Sequence, residues 1–285
     1  MRIRSIFACS LGIAIFACSS DRSYSPPGTV LTDTRVSEDL AITAGMAATT
    51  SIDDQGEYLT NTGIAPNGAV LVPTASTPSA GAGVALTKPV CTYGATAGLW
   101  FCAPFVNRRG LTVVWNIGYA DQSGRPMQHY DSLATASIEY KFSSEGPVGN
   151  GTSISGIAHK SGEQTLSGLL GHEATRAWNG VAVSADTTIY NDVSGMRRYA
   201  GVQVDSVKGV VYVQPRAPGN YPLSGEIVRV ANFLVTTSGN GSETRSISRI
   251  ITTTFNGTAA VAIRIGAISC TLHLDKRTVD GCSGR

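Results

Sequence analysis

From Val90 onward, apolar and polar residues alternate in short runs set between turn signals. In Thr135–Phe142, the side chains of Ala136, Ile138, Tyr140 and Phe142 share one face. In Ala259–Ile265, Val261, Ile263 and Ile265 do the same, and in Ile268–Leu274 the inward set is Ile268, Cys270, Leu272 and Leu274. A period of two marks a strand with one buried face, because successive side chains point to opposite sides of a sheet. The same texture predicts strands at Leu111–Tyr119, Ser153–His159, Gln164–Leu170, Glu173–Trp178, Val181–Ile189, Tyr199–Asp205, Gly209–Val213, Glu226–Thr236, Arg245–Phe255 and Arg277–Val279. Glu226–Thr236 stands apart. Ile227, Ala231, Phe233 and Val235 face one way and Val228, Val230 and Leu234 the other, which predicts a central strand covered on both sides by a second sheet.

Asn-Gly pairs punctuate these runs at Asn150-Gly151, Asn179-Gly180, Asn240-Gly241 and Asn256-Gly257, with Asp280-Gly281 near the end. Both residues tolerate positive φ, so each pair is expected to turn a hairpin. Short links place consecutive strands side by side. The expected fold is mostly β: an antiparallel meander forming a curved sheet, a half-barrel or a sandwich, since so many strands cannot leave a flat open edge.

The first ninety residues read differently. Ser37 is expected to cap a short helix ending at Met46, with Glu38 and Asp39 in its first turn. Gly45 and the threonines that follow weaken that helix. Residues 53–89 are rich in Gly, Ala, Ser, Thr and Pro, and Pro66, Pro73, Pro78 and Pro89 make them a linker. Pro26-Pro27-Gly28 sits in a polar tether. The organisation expected is a signal peptide at 1–17, a disordered tether and low-complexity linker at 18–89, and an antiparallel β domain at 90–285.

The leader carries the most specific signal. Arg2 and Arg4 precede an apolar run from Ile6 to Ala17, the plan of a secretory signal and too short for a membrane span of about 20 residues. It ends Ile15-Phe16-Ala17-Cys18. That ending resembles the lipobox of bacterial lipoproteins, although Phe16 stands where the family has a small residue. The resemblance implies cleavage before Cys18, lipidation of its thiol and attachment to a membrane in the cell envelope. Cleavage after Ser19, giving a secreted chain, is the competing processing, since Ala17 and Ser19 satisfy the small-x-small rule.

Six cysteines are present; with Cys9 in the leader and Cys18 assigned, Cys91, Cys102, Cys270 and Cys282 remain. An even number in an exported chain argues for disulfides, and the local pairs Cys91–Cys102 and Cys270–Cys282 are the simplest of three connectivities. Zinc needs closely paired ligands such as C-x-x-C, which do not occur.

Charge and motifs narrow the function further. The chain has 22 Lys+Arg against 20 Asp+Glu; without Arg2 and Arg4 the balance is 20 against 20. A nucleic-acid binder shows a basic excess or stripe, so nucleic acid is not an expected partner. No Gly-rich phosphate loop occurs, and no cofactor is expected. His172-Glu173-Ala174-Thr175-Arg176 begins like a zinc-protease helix, but Arg176 takes the place of the second His. His129-Tyr130-Asp131, shortly after Asp121-Gln122-Ser123, sets an acid and a base near a hydroxyl, yet without G-x-S-x-G it reads as a polar loop. His159 and His273 stand alone in strand-like runs. Glu139, Glu145, Glu163, Glu173, Asp186, Asp192, Asp205 and Glu226 offer a glycosidase pair, but no spacing selects two of them.

The stretch Cys91–Tyr130 with Gly110-Leu111-Thr112-Val113, and Tyr221-Pro222-Leu223-Ser224-Gly225, look like uncharacterised β-rich secreted proteins of environmental bacteria, a likeness that implies no activity. Two functions are carried forward. One is a non-enzymatic envelope lipoprotein with a binding or structural role, including a curved sheet that holds an apolar ligand. The other is a secreted glycan hydrolase with a carboxylate pair.

Overall fold

The computed structural model describes residues 31–61 and 90–284, apart from 108, 172, 193–194, 215–218 and 239–241. One helix, α1 (Asp33–Asn61), is followed by fourteen strands: β1 (Cys91–Gly94), β2 (Leu99–Cys102), β3 (Phe105–Val106), β4 (Thr112–Asp121), β5 (Pro126–Met127), β6 (Thr135–Gly149), β7 (Ile154–Ser167), β8 (Thr175–Asp192), β9 (Gly195–Val213), β10 (Ser224–Ser238), β11 (Thr244–Thr254), β12 (Ala260–Ile265), β13 (Ile268–His273) and β14 (Thr278–Ser283). They form one antiparallel open sheet in the order β1-β2-β4-β6-β7-β8-β9-β10-β11-β12-β13-β14, with β3 and β5 paired to β4. This is the expected meander.

Alternation sets the faces as read. Ile138, Tyr140 and Phe142 on β6, Val261, Ile263 and Ile265 on β12, and Cys270 and Leu272 on β13 are buried. Three long strands, β7, β8 and β9, run unbroken where the sequence pattern suggests pairs of shorter ones. Asn179-Gly180 is no turn: it lies inside β8, where the register with β9 shifts. Asn179 sits opposite Lys208-Gly209 and its Oδ1 accepts a hydrogen bond from the Gly209 N–H at 2.7 Å. Gly209 has φ +55°, so this is a bulge that bends the sheet without ending the strand. Gly162 joins the two halves of β7. Its missing side chain lets β8 come close, since a Cβ there would lie 2.3 Å from the Val181 carbonyl oxygen. Asp280-Gly281 likewise falls within β14, and the hairpin turns instead at Asp275–Arg277. Asn150-Gly151 and Asn256-Gly257 do lie between strands; Asn240-Gly241 lies outside the described residues.

The sheet curls around α1. The helix begins after Thr32, whose Oγ1 accepts from the Arg35 N–H at 3.2 Å, so Thr32 is the cap and Ser37 lies inside the first turns. It runs past Met46 to Asn61 because tertiary contacts override weak propensity. Leu40, Ala41, Ala44 and Ala48 are buried. Gly45 marks its closest approach to the sheet: a Cβ there would sit 2.5 Å from Val279 Cγ2 and 3.1 Å from Leu272 Cδ1. At the far end, Tyr58 stacks on Tyr140 at 5.0 Å and meets Trp115 edge-on at 5.1 Å. Asp53 pairs with Arg277 at the turn after β13, and Asp54 with Arg109 at the turn before β4. Both flanks of the sheet thus reach one turn of the helix. Part of the segment expected as tether is therefore an inner element of the domain, while residues 19–30 and 62–89 lie outside the described residues, as do the leader and Cys18.

The second sheet expected over β10 is absent from the described residues. Its inner residues Ile227, Ala231, Phe233 and Val235 are buried, but the outer row Val183, Val204, Val230 and Ile250, matched strand to strand, faces outward, with Ile250 62% exposed. Disulfides join Cys91 to Cys102 and Cys270 to Cys282, as the spacing suggested. Each ties the hairpin at one end of the open sheet, where unpaired edges are most vulnerable.

Candidate functional site

The inner face carries two kinds of buried charge. Beneath α1, each arginine has a carboxylate. Arg229 donates to Asp205 through Nε at 2.6 Å and Nη2 at 2.8 Å, a bidentate pair. Burial works against ionisation of Asp205, but the charge and hydrogen bonds of Arg229, with Lys160 nearby, outweigh it and hold the carboxyl below its ordinary value. Arg197 donates to Asp39 of α1 at 2.7 and 3.1 Å and to Asp192 at 2.9 Å. Tyr199 adds its hydroxyl to the Asp39 carboxylate at 2.6 Å. These bonds clamp the helix to β8 and β9. Asp186 lies beside this network, bound to Ser184 and Gln203; burial pushes its carboxyl up, against the pull of Arg229, Ser184 and Lys160. Asp54 is pushed up by burial too, with Arg109 and Lys160 opposing.

The second region lies at the end of β5 and the segment that leads to β6. A surface depression of about 650 Å³ is lined by Met127, Gln128, His129, Tyr130, Asp131 and Ser132. Its wall is braced from several sides. Trp100 Nε1 donates to the Gln128 carbonyl at 2.7 Å and its ring lies 5.8 Å from that of His129. The Gly171 N–H donates to the Ser132 carbonyl at 3.1 Å. Tyr130 lies 6.3 Å from Tyr119, whose hydroxyl is pushed up to about 12 by burial and by Tyr130. Arg176, at the start of β8, is 7% exposed, and its charge acts on the Tyr130 hydroxyl. Among the described residues Arg176 has no hydrogen bond and no ion pair, and its Nε and Nη1 are buried without a partner. Burial pulls its pKa down, and only the phenols of Tyr130 and Tyr140 oppose that.

The residues singled out in the sequence are mostly committed elsewhere. Asp131 Oδ1 accepts from the Leu133 N–H at 2.8 Å, inside its own turn, and Ser123 is bound to Asp121 in the turn after β4. The structure therefore does not assemble His129, Asp131 and Ser123 into a catalytic unit. His159 faces Glu145 at 3.3 Å and His273 faces Asp280 at 3.1 Å, both near the surface; His172 lies outside the described residues. Glu139 pairs with Lys141 and Glu226 with Lys208, while Glu163 and Glu173 are exposed. Asp186 and Asp205 lie on the inner face with the arginine network. The described residues contain no cluster of three His, Cys, Asp or Glu placed to hold a metal. Nor does any described helix have the length and apolarity to cross a membrane. The concave face that an apolar ligand would need is taken by α1.

Arg176 and Arg229 escaped the sequence reading. The signal was there in parity: Arg176 shares a strand face with Trp178, and Arg229 with Ile227, Ala231 and Phe233, all buried. No protein-family model, no curated protein and no solved structure matches this chain.

Proposed function

We propose that this chain is a cell-envelope lipoprotein, attached to a membrane through lipid on Cys18, whose folded domain binds or builds and does not catalyse. The filled concave face carries the non-catalytic part. Leu40, Ala44, Ala48 and Tyr58 occupy the space where a carrier or hydrolase would keep its cleft, and the buried carboxylates there are tied to arginines. The two disulfides fit an oxidising, extracytoplasmic compartment. Bacterial lipoproteins carry more than one acyl chain, which makes such an anchor stable. The partners of this reading are the membrane and an envelope component or apolar ligand.

Intact-mass measurement of the protein extracted from its native envelope tests it. The expected species starts at Cys18, carries acyl chains and is lighter by four hydrogens for two disulfides. A chain that starts at Ser20 without lipid overturns the anchor.

A further inference from the structure

We infer that the outer face of β8–β11 docks on the same face of a second copy of this chain, sheet against sheet, in a weak twofold dimer. The inference goes beyond the role proposed above and does not depend on the anchor at Cys18. It starts from the distribution of charge. Residues directly opposite on paired strands share a face. The outer row Val183, Val204, Val230 and Ile250 crosses four neighbouring strands. Val230 is 38% and Ile250 62% exposed. From the row of Val181 and Ser206 to that of Leu234 and Ser246, no charged side chain stands on this face of β8–β11. Arg198 comes one row further, at the end of the patch. The flanking strands differ: Glu139, Lys141, Glu145 and Glu163 stand on the same face of β6 and β7, and Arg264 on that of β12. Charge is depleted at the centre of protein interfaces, and a continuous exposed apolar patch marks one.

The charges at the flanks select the partner. Glu163, Val181, Ser206, Val228, Thr252 and Arg264 form one row across β7–β12, with an acid at one end and a base at the other. Both ends are exposed, and neither has an ion-pair partner among the described residues. A twofold axis along the strands, between β9 and β10, exchanges the two ends. It lays Val204 against the second copy's Val230, turns Val183 toward its Ile250, and brings Glu163 to its Arg264 on both sides. An axis across the strands instead sets the glutamates of the β7 flank on themselves. The sheet curls toward α1, so the middle strands carry the contact, and the long side chains of Glu163 and Arg264 reach over the gap on either side. With strands about 4.8 Å apart and side chains of one face about 6.8 Å apart along each, four strands by four rows meet over about 500 Å² per copy. About 1,000 Å² in all is the size of a weak, reversible interface. The second sheet that the two-sided apolar pattern of β10 calls for is then supplied by another copy.

Sedimentation velocity of the full chain over a concentration series tests this. The expected result is a monomer–dimer equilibrium with a dissociation constant of about 10–100 µM. Ile250→Lys and Val230→Lys place charge inside the contact and are expected to weaken dimerisation at least tenfold. Both positions are exposed, so the fold tolerates them, as circular dichroism will show. Glu163→Arg or Arg264→Glu alone is expected to weaken the dimer several-fold, and both together to restore it. A chain that stays monomeric up to about 500 µM, or a dimer indifferent to Ile250→Lys, overturns the proposal. Single charge reversals without effect, or no restoration by the pair, overturn the axis along the strands. Flotation with phosphatidylcholine vesicles tests the other occupant. Wild type and Ile250→Lys share one N-terminus, so a difference between them reads the face alone. Vesicle binding lost in Ile250→Lys, by a chain that sediments as a monomer, assigns the face to lipid and overturns the dimer.

Discussion

Arg229 and Arg176 point to the same face of the same sheet and are buried to a similar extent, yet one is bound and the other is not. Arg229 on β10 holds Asp205 on β9 with two hydrogen bonds. Arg176, at the start of β8, has two sealed nitrogens and no acceptor among the described residues. The two environments obey the same electrostatics, so the contrast is one of purpose. A charge meant for the fold is matched within the fold, and its removal is felt as lost stability. A charge left unmatched weakens the protein, and its removal is felt as gained stability.

Mutation should widen the contrast. Asp205→Ala strands Arg229 in the interior and is expected to cost about 3–5 kcal/mol in urea unfolding at pH 7; a loss under 1 kcal/mol would break the comparison. Its pH dependence follows from the lowered carboxyl of Asp205. The unfolded state takes up protons first as acid is added, so wild-type stability from this pair is full above the ordinary carboxylate value near 3.9 and is lost as pH falls through the lower folded value. The variant should lack that acid limb.

Arg176→Met should do the reverse, raising stability by about 1 kcal/mol, because it removes an unpaired buried charge and leaves an apolar chain beside Trp178. Destabilisation comparable to that of Asp205→Ala would mean that Arg176 is a structural group after all. The smallest effect is expected at Asp186, whose carboxyl burial pushes up. Here the folded state holds its proton longer, so a cost appears as pH rises from about 3.9 through the raised value and persists above it. Asp186→Asn should remove that cost, giving a gain of at most about 1 kcal/mol at pH 7 and none in acid. A thermal-melt series across pH distinguishes the two aspartates by the opposite signs of their slopes.

How much of this was legible depends on contrast along the chain. Period two located the strands because apolar side chains such as Ile138, Tyr140 and Phe142 stand out against polar neighbours. It broke where a bulge or an inward glycine imitates a turn, as at Asn179-Gly180 and Gly162. The helix was shortened because its inner face is written in small or polar residues: Ala44, Gly45, Ala48, Asp39 and Gln55 are buried. Such residues give a helix little hydrophobic signal, and Gly45 reads as a breaker until its neighbour Val279 is known. The disulfides were legible from spacing. Arg176 was not, because an arginine in an alternating run reads by default as solvent-facing, and nothing local says that its partner is missing.

The position of α1 also has a consequence for the order of assembly. Synthesis from the N-terminus delivers the helix before any strand. Yet Gly45 must meet Val279 and Asp53 must meet Arg277, more than two hundred residues later. The meander can zip strand by strand, since each neighbour in the sheet from β6 to β14 is also the neighbour in sequence. The helix cannot, and its small-residue stripe stays uncovered until the β13–β14 hairpin is made. Folding of this domain therefore waits on β14, and a stalled chain leaves α1 uncovered beside an unfinished sheet.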